Sequence, residues 1–344
     1  RSVRLCSPRV EHDCCCTGVT ALLPDGRVLM TYAGPANPHG QTPGTCRVFA
    51  RFSGEAGRTW GPEREIIHHP ECQAYGPALL RTEDGTLWIF YLGFHRHHWP
   101  DGEPDMDTTR SDLWCARSDD DGETWRDRRL IFRGYTGATD GAIETSGGEI
   151  LVPFSYVVPE PGRLVSACVV SADAGQNWEL SCAVDMGGHG DHQGALEPTV
   201  IELMDGRIWM LIRTTLGRFW QSFSTDSGLT WSEPLPTDIH SPSAPGHLAR
   251  LHSGRIALVW NNTMRTTRQR DTLSMALSEN EGASWTAPME CARAEQLSYP
   301  FILEVDSGEL LVSCQRVPDW QHVRPQAFRV SEQALLEHAG EQIA

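Results

Sequence analysis

The residues best suited to chemistry lie in the second half of the chain, beside predicted strands. Glu197 and Arg213 are 16 residues apart and flank an Asp-Gly turn, so they fall at the same end of two adjacent antiparallel strands. Arg270 precedes another strand, and Tyr299 follows it by 29 residues, next to a proline and a third strand. A planar guanidinium binds a carboxylate through two parallel hydrogen bonds, so the arginines suit an acidic ligand. The alternative for each residue is a structural role, as an ion pair, a solvated loop charge or a packed tyrosine.

Many other titratable side chains are predicted to lie in loops, where they could supply an acid or a base. Asp191 and His192 precede Glu197 by only a few residues, which makes them candidate catalytic acids, and His98 belongs to the longest inserted loop, where it is a candidate substrate contact. A metal site made from this set has no ligand spacing behind it, and we expect no cofactor. The set comprises His12, Asp13, His39, His95, His97, His98, Asp101, Asp105, Asp107, Asp140, Glu144, His189, Asp191, His192, His240 and His247.

Two interleaved repeats define the elements that must position these residues. The first is an Asp-Gly or Ser-Gly turn between two apolar runs, which predicts a β-hairpin because glycine accepts the positive φ of the turn. Six such hairpins, spaced by 48 to 62 residues, predict six four-stranded units. They lie at Asp25-Gly26, Asp84-Gly85, Ser146-Gly147, Asp205-Gly206, Ser253-Gly254 and Ser307-Gly308.

The second repeat reads S-x-D-x-G-x-x-W. It occurs at residues 118–125, 171–178 and 224–231, with degenerate copies at 53–60 and 278–285. Its Asp is expected to accept backbone N–H groups within the turn, and its Trp to pack against the sheet. Four strands per unit, repeated around an axis, predict an all-β, six-bladed β-propeller that spans residues 1–344 as a single domain. We expect an N-terminal strand to complete the sixth blade, and the segment after about Ser331 to be helical or frayed.

The S-x-D-x-G-x-x-W repeat resembles the Asp-box, or BNR repeat, of the sialidase (neuraminidase) superfamily. The resemblance covers the whole chain as a fold and extends to the segments around Glu197, Arg213, Arg270 and Tyr299. It implies that Tyr299 is a nucleophile polarised by Glu197, and that the two arginines bind a substrate carboxylate. A neutral phenol suits this role, because the carboxylate on the anomeric carbon would repel an anionic nucleophile. The Asp-box itself is structural and carries little information on chemistry.

The sequence departs from the sialidase pattern at two places. The family carries an Arg near the start of the first blade and an acid–base Asp after the first hairpin. Here these places fall near Cys15 or Cys16 and near Tyr32-Ala33. Arg9, which lies upstream, is a candidate replacement for the missing Arg in substrate binding. The proton donor would be a divergent Asp or His.

The composition restricts the partners. The net charge of −16 predicts repulsion from nucleic acid and from anionic membrane surfaces. No apolar run reaches the length of about 18 residues that a transmembrane helix needs. The 11 cysteines are irregularly spaced and suit buried thiols in a reduced protein. The compartment stays open between the cytoplasm and secretion with a leader removed, and so does the oligomeric state.

Three functions are compatible with the sequence. The resemblance favours an exo-α-sialidase-like glycoside hydrolase that removes a terminal acidic sugar from a glycan. The two departures favour a related propeller enzyme for another sugar, either a hydrolase for uronic acid, rhamnose or arabinose units or a polysaccharide lyase. The third is a non-catalytic glycan-binding propeller, although binding alone requires no Tyr–Glu pair. If Tyr299 is not the nucleophile, a hydrolase would invert through an activated water.

Overall fold

The computed structural model describes residues 18–34, 43–263, 270–317 and 324–341, which form a six-bladed β-propeller, as predicted. Each blade is an antiparallel sheet whose strands follow one another in chain order. The strands of the first three blades are β1 (Val19–Leu22), β2 (Val28–Gly34), β3 (Arg47–Ser53), β4 (Arg64–Ile67), β5 (Gln73–Arg81), β6 (Leu87–Arg96), β7 (Arg110–Ser118), β8 (Arg126–Phe132), β9 (Ile143–Glu144), β10 (Ile150–Val158), β11 (Arg163–Ser171) and β12 (Glu179–Leu180).

The last three blades continue the same order. Their strands are β13 (Leu196–Glu202), β14 (Ile208–Arg213), β15 (Arg218–Ser224), β16 (Leu235–His240), β17 (His247–Arg250), β18 (Ile256–Trp260), β19 (Thr272–Ser278), β20 (Met289–Arg293), β21 (Leu297–Asp306), β22 (Glu309–Arg316) and β23 (Arg324–Ser331). The sixth sheet has three strands within the described ranges, and the N-terminal strand predicted to complete it falls in residues 1–17, outside them. The helix predicted after Ser331 is present as α1 (Glu332–Glu341), and a 3-10 turn, Pro100–Gly102, lies in the inserted loop.

The apolar core is divided among the seams between neighbouring blades. Phe90 of blade 2 and Val152 of blade 3 share one buried cluster. Leu311 of blade 6 shares another with Val28 of blade 1. Because this last cluster joins the final blade to the first, apolar burial closes the ring.

The six predicted hairpin turns are present. The turn glycines have a left-handed φ, such as 90° at Gly85 and 82° at Gly206. In the third blade, however, the turn glycine predicted in the Ser146-Gly147 pair lies one residue before the glycine that takes this conformation. The left-handed residue there is Gly148 (φ 87°), because the turn closes with a hydrogen bond from its N–H to the carbonyl of Thr145 (2.9 Å).

A repeated hydrogen bond links the hairpin turn of one blade to the next blade. A glutamate four residues before the turn glycine accepts the backbone N–H of the preceding turn, which would otherwise lack a partner. The same geometry recurs at three seams. The bonds run from Glu83 N to Glu144 (2.6 Å), from Ser146 N to Glu202 (2.7 Å) and from His252 N to Glu304 (2.7 Å).

The seam between blades 1 and 2 lacks this glutamate, and it also lacks the N–H group that the glutamate would accept. The turn residue of blade 1 that would donate is Pro24, which has no N–H, and the matching position of blade 2 is Arg81 rather than a glutamate. Donor and acceptor are therefore missing together. Between blades 4 and 5 the acceptor for Met204 N is Glu281 (2.8 Å), which Arg250 holds in an ion pair (2.7 Å).

The S-x-D-x-G-x-x-W turns have the geometry expected from the sequence. In the copy at 224–231, Asp226 accepts the N–H of Thr230 (2.9 Å) and the hydroxyl of Ser224 (2.7 Å). Gly228 has a left-handed φ of 85°. Trp231 packs against the apolar cluster between blades 3 and 4. Each turn thus attaches one blade to the seam on its N-terminal side.

Replacing Asp226 with alanine is expected to lower the free energy of unfolding by about 1–2 kcal/mol, because its turn hydrogen bonds are lost. Asp226→Asn is the matched control, because the copy at 278–285 naturally uses Asn280, which accepts the N–H of Ser284 (2.9 Å). Burial alone would raise the pKa of Asp226, but the hydrogen bonds from Thr230 and Ser224 lower it below 3.8. The contribution of Asp226 to the free energy of unfolding is therefore present above pH 3.8 and is lost as the pH falls through the lower, folded-state pKa.

Urea unfolding of the Asp226 variants at neutral and acidic pH measures both effects. Asp226→Asn should retain most of the stability and lose part of the acid sensitivity. Equal losses in the alanine and asparagine variants would contradict this account of the turn.

Other expectations from the sequence concern thiols, membranes and metals. Of the cysteines in the described ranges, Cys182 is exposed and the others are buried: Cys46, Cys72, Cys115, Cys168, Cys291 and Cys314. No helix within these ranges is long and apolar enough to span a membrane. Across the same residues, no three His, Cys, Asp or Glu side chains converge in a way that could hold a metal ion.

Candidate active site

Three innermost strands carry the same irregularity at the end opposite their hairpin turn. In β5, β13 and β21 the register slips into a β-bulge, and a residue followed by proline takes a left-handed φ. These residues are Gly76 (φ 58°), Glu197 (φ 29°) and Tyr299 (φ 51°). A bulge redirects a side chain, and a left-handed φ costs a non-glycine residue about 1–3 kcal/mol. The surrounding structure therefore holds Glu197 and Tyr299 in a conformation they would not adopt alone.

The bulges bring Glu197 and Tyr299 into contact. The Tyr299 hydroxyl donates a hydrogen bond to Oε1 of Glu197 (2.8 Å). Arg213, the last residue of β14, donates from Nη1 to Oε2 of the same carboxylate. Glu197 is 8% exposed and Arg213 is 2% exposed, so the ion pair is shielded from water. Leu196 pairs with Arg213 across the sheet, which confirms that Glu197 and Arg213 lie at the same end of adjacent strands.

Arg270 lies just before β19 and faces the same tyrosine. Its guanidinium carbon is 5.6 Å from the centre of the Tyr299 ring. Its Nη2 donates to the carbonyl of Ser243 (2.8 Å), and the hydroxyl of Ser243 accepts from Nε and Nη2 of Arg213 (3.4 and 3.3 Å). One residue therefore anchors both arginines. Nε of Arg270 is buried and has no hydrogen-bond partner among the described residues, so it can donate to a ligand.

The charges and burial within the cluster act in opposite directions on the Glu197 carboxyl group and the Tyr299 phenol. Burial alone would raise the pKa of Glu197, but the charges of Arg213 and Arg270 and the hydrogen bonds from Tyr299 and Arg213 lower it. Burial, together with the charge of Glu197, raises the pKa of Tyr299. At neutral pH the pair is thus a carboxylate and a neutral phenol, and the carboxylate is ready to take the phenol's proton.

Asp191 and His192 lie in a second cluster. Nδ1 of His192 is 2.8 Å from Asp191, and Nε2 of His97 is 3.2 Å from the other carboxylate oxygen. Burial opposes ionisation of Asp191, but its two histidine neighbours lower its pKa. Asp191 is therefore held as a carboxylate, and any mobile proton in this cluster resides on a histidine.

Tyr135 connects the two clusters. Its ring centre is 5.3 Å from that of His97. Burial raises its pKa most, and the nearby acidic groups Asp191, Glu197 and Tyr299 raise it further. The histidine cluster and the Tyr299–Glu197 pair therefore share one electrostatic environment.

No described contact joins His98 or Arg9, the other two predicted substrate contacts, to either cluster. His98 is held within the inserted loop, where its Nδ1 is 3.0 Å from Asp105 and 3.3 Å from the hydroxyl of Thr108. Arg9 lies outside the described residues. The roles of both stay predictions.

The sequence predicts Glu197 and Arg213 at the ends of adjacent strands, as observed, but other members of the site were missed. Tyr299, predicted just before a strand, belongs to β21, and the bulges bring Glu197 and Tyr299 together. The overlooked signal is a residue followed by proline, nine positions before a turn glycine. Ser243 and Tyr135 have no such signal. Asp140 was one of many titratable residues, yet its Oδ2 is buried without a hydrogen-bond partner among the described residues.

The fold and the bulged inner strands define the class of protein, a sialidase-like propeller. The family model described as BNR repeat-like domain matches residues 17–312, and the chain belongs to that family. A sialidase from Micromonospora viridifaciens is 26% identical over 297 residues, which cover 76% of this chain and 44% of the relative. The chain therefore spans less than half the length of that relative.

Solved structures share the fold at lower identity. A Dyadobacter fermentans protein of unknown function superimposes with a TM-score of 0.75 at 19% identity, covering 96% of this chain and 98% of its own. The Hadza microbial sialidase Hz136 gives a TM-score of 0.73 at 19% identity and covers 94% of this chain and 66% of its own. At this identity the likeness concerns the fold alone.

Proposed function

We propose that this chain is a glycoside hydrolase of the sialidase type, which removes a terminal acidic sugar from a glycan, and that residues 1–344 act as one catalytic propeller domain. The observation that carries the proposal is the hydrogen bond from Tyr299 to Glu197 (2.8 Å) beside two buried arginines. A protein that only binds a glycan needs no phenol paired with a buried carboxylate. Membership of the BNR repeat-like family and the sialidase relative support the same class.

In this mechanism Arg213 and Arg270 bind the carboxylate of the sugar. The Tyr299 oxygen attacks the anomeric carbon while its proton passes to Glu197, and the bond from the anomeric carbon to the leaving oxygen breaks. A water then attacks the same carbon, the bond to Tyr299 breaks, and the tyrosine recovers its proton from Glu197. Because burial keeps the phenol protonated in the free enzyme, no negative charge on Tyr299 opposes the arriving carboxylate.

The leaving oxygen needs a proton, and we assign that role to His192. A histidinium held by Asp191 (2.8 Å) can protonate the leaving oxygen in the first step and take a proton from water in the second. Its side chain is 41% exposed, so it can reach a substrate. Asp191 contacts Nδ1 and thereby orients the ring, and in this proposal the pair replaces the acid–base Asp that the sialidase pattern carries elsewhere.

His192→Ala is expected to lower kcat/KM about a hundredfold for a sialoside with an alkyl alcohol as the leaving group. The loss should be less than about tenfold for an aryl sialoside, because a phenolate leaves with little help from an acid. His189→Ala is the matched control, because this exposed histidine pairs with Glu103 (2.5 Å). Steady-state kinetics on both substrates provide the measurement. Equal losses on the two substrates would remove His192 from the role of acid.

A hydrolase for a different sugar is the second candidate, and one observation favours it. Tyr32 and Ala33 occupy the place of the family's acid and are fully buried in β2. The Tyr32 hydroxyl donates to Glu63 and accepts a hydrogen bond from Arg51 (2.9 Å). Within the described residues, β2 therefore carries no acid at this position, which suits a changed leaving group or a changed sugar.

Hydrolysis of a fluorogenic aryl α-sialoside, measured beside aryl uronides, rhamnosides and arabinosides, tests the proposed function. Turnover of the sialoside that is lost in Glu197→Ala would support the sialidase. Turnover of another sugar alone would support the second candidate. Saturable binding of glycans without turnover of any substrate would make the chain a glycan-binding propeller.

A further inference from the structure

Asp140 lies in a segment that is fixed between two bulged strands. The segment joins β8 of blade 2 to β9 of blade 3 and contacts residues of blades 2, 3 and 4. Thr139 donates a hydrogen bond from its hydroxyl to the carbonyl of Gly76 (3.4 Å), and Gly137 N donates to the carbonyl of Ser155 (2.8 Å). A Cβ built on Gly137 would lie 3.6 Å from the side chain of Glu197, so the segment packs directly against the catalytic carboxylate.

The carboxyl group of Asp140 differs from the others near the site in having an unused oxygen. Its Oδ2 is buried and has no hydrogen-bond partner among the described residues, whereas both oxygens of Glu197 are occupied. A buried carboxylate without a partner is costly, and a protonated carboxyl at the same place is not. Burial and the charge of Glu197 raise the pKa of Asp140 well above its ordinary value, although Arg213 and Arg270 act in the opposite direction.

The neighbouring groups decide the total charge of the site. Among the described residues, the charged groups that face Asp140 are Glu197 and Arg213 from blade 4 and Arg270 from blade 5. Blade 6 contributes Tyr299, a neutral phenol, and the bulge of blade 2 contributes Gly76, which has no side chain. If Asp140 is ionised, two carboxylates cancel two guanidinium groups. If Asp140 is protonated, one positive charge remains for a ligand.

His247 is the remaining titratable neighbour, and it does not change this balance. Burial lowers its pKa to about 3, so the ring is neutral. Its Nδ1 accepts the N–H of Ile302 (3.3 Å), which leaves the ring hydrogen on Nε2. That nitrogen is 3.2 Å from the position of a Cβ built on Gly141, next to Asp140.

We propose that Asp140 is a specificity-determining residue that stays protonated at neutral pH and donates a hydrogen bond to the substrate carboxylate beside Arg213 and Arg270. This inference rests on the proposed function and names its ligand class more closely. The described part of the site then offers one net positive charge and one neutral donor, which suits a single monoanionic carboxylate. Ionisation of Asp140 removes both the hydrogen bond and the net positive charge, so affinity for the carboxylate falls as the pH rises through that ionisation.

Infrared difference spectroscopy of the ligand-free protein, wild type minus Asp140→Asn, tests the protonation state without reference to activity. The expected result at neutral pH is a carboxylic acid C=O band that is present in the wild type and absent from the variant. Only carboxylate bands in the difference spectrum would overturn the proposal. If the variant does not fold, loss of the same band when the wild type is titrated to alkaline pH replaces the comparison.

Calorimetric binding of free N-acetylneuraminate across pH tests the donor role. Wild-type affinity should fall about tenfold per pH unit above the ionisation of Asp140, and Asp140→Asn should remove this dependence. Asp205→Asn, in an exposed hairpin turn, is the control and should follow the wild type. Identical pH dependences in wild type and Asp140→Asn would overturn the donor role. Absence of binding in every variant would instead count against the proposed sialidase function, while the infrared result still decides the state of Asp140.

Discussion

Replacing Tyr299 with phenylalanine is expected to lower kcat by at least about a hundredfold, because the variant loses the oxygen that would form the bond to the sugar. The ring remains, so its contact with the Arg270 guanidinium (5.6 Å) and the fold should be preserved. KM should change by less than about threefold, since Arg213 and Arg270 still bind the carboxylate. Steady-state kinetics on an aryl α-sialoside, together with thermal unfolding, provide the measurement.

Tyr32→Phe is the matched control for this substitution. Tyr32 also donates its hydroxyl to a glutamate, Glu63, next to an arginine, Arg51, but it does so inside blade 1, where its side chain is fully buried. Its loss should reduce stability by about 1–2 kcal/mol and leave kcat unchanged. Comparable kcat losses in the two variants would mean that a phenol–glutamate bond supports the fold and that Tyr299 is not the nucleophile.

Replacing Glu197 with alanine is expected to reduce both activity and stability. Activity should fall by about a hundredfold or more, because Tyr299 loses its proton acceptor. Stability should fall by about 3–5 kcal/mol, because Arg213, only 2% exposed, is left as a buried charge without its partner. Glu197→Gln separates the two effects, since the amide keeps the shape and an acceptor oxygen but cannot take a proton. Urea unfolding and steady-state kinetics of both variants provide the measurements.

Glu65→Ala is the control for the stability loss. Glu65 pairs with Arg47 (2.7 Å), but both side chains are partly exposed, so breaking this pair should cost about 1 kcal/mol or less. The lowered pKa of Glu197 predicts the pH dependence as well. Its pair with Arg213 stabilises the fold above pH 4.5 and loses its effect as the pH falls through the lower, folded-state pKa. If Glu197→Ala and the control variant lost equally little stability at neutral pH, the Glu197–Arg213 pair would have to be hydrated.

The architecture could be predicted from the sequence because it rests on local signals. A turn glycine accepts a left-handed φ, and the box aspartate bonds within its own turn, so both signals are short in sequence and repeat around the ring. The third hairpin turn was predicted one residue early, because Ser146-Gly147-Gly148 contains two glycines and only the second takes the left-handed conformation. The N-terminal strand of the sixth blade stays a prediction.

The site was predictable only in part. Glu197 and Arg213 share a hairpin, so their spacing fixes their relation. The pairing of Tyr299 with Glu197 joins residues on different blades, and the prediction of their roles came from the family resemblance. Ser243 holds the two arginines through one hydroxyl and one carbonyl, a role that no local pattern encodes. The state of Asp140 depends on which charges surround it, which only the folded structure specifies.

The bulges also give the propeller a lower symmetry than its strands suggest. Six blades repeat around the axis, but the described bulges of this kind fall on blades 2, 4 and 6, at Gly76, Glu197 and Tyr299. At two of these three equivalent positions lie the residues proposed for catalysis, and at the third lies a glycine. A Cβ on Gly76 would meet Leu92 at 3.4 Å, an ordinary contact, and asparagine or aspartate tolerates a φ of 58° better than other residues. Gly76 is thus a position at which protein design could add a third side chain, at the end of the ring that carries the candidate active site.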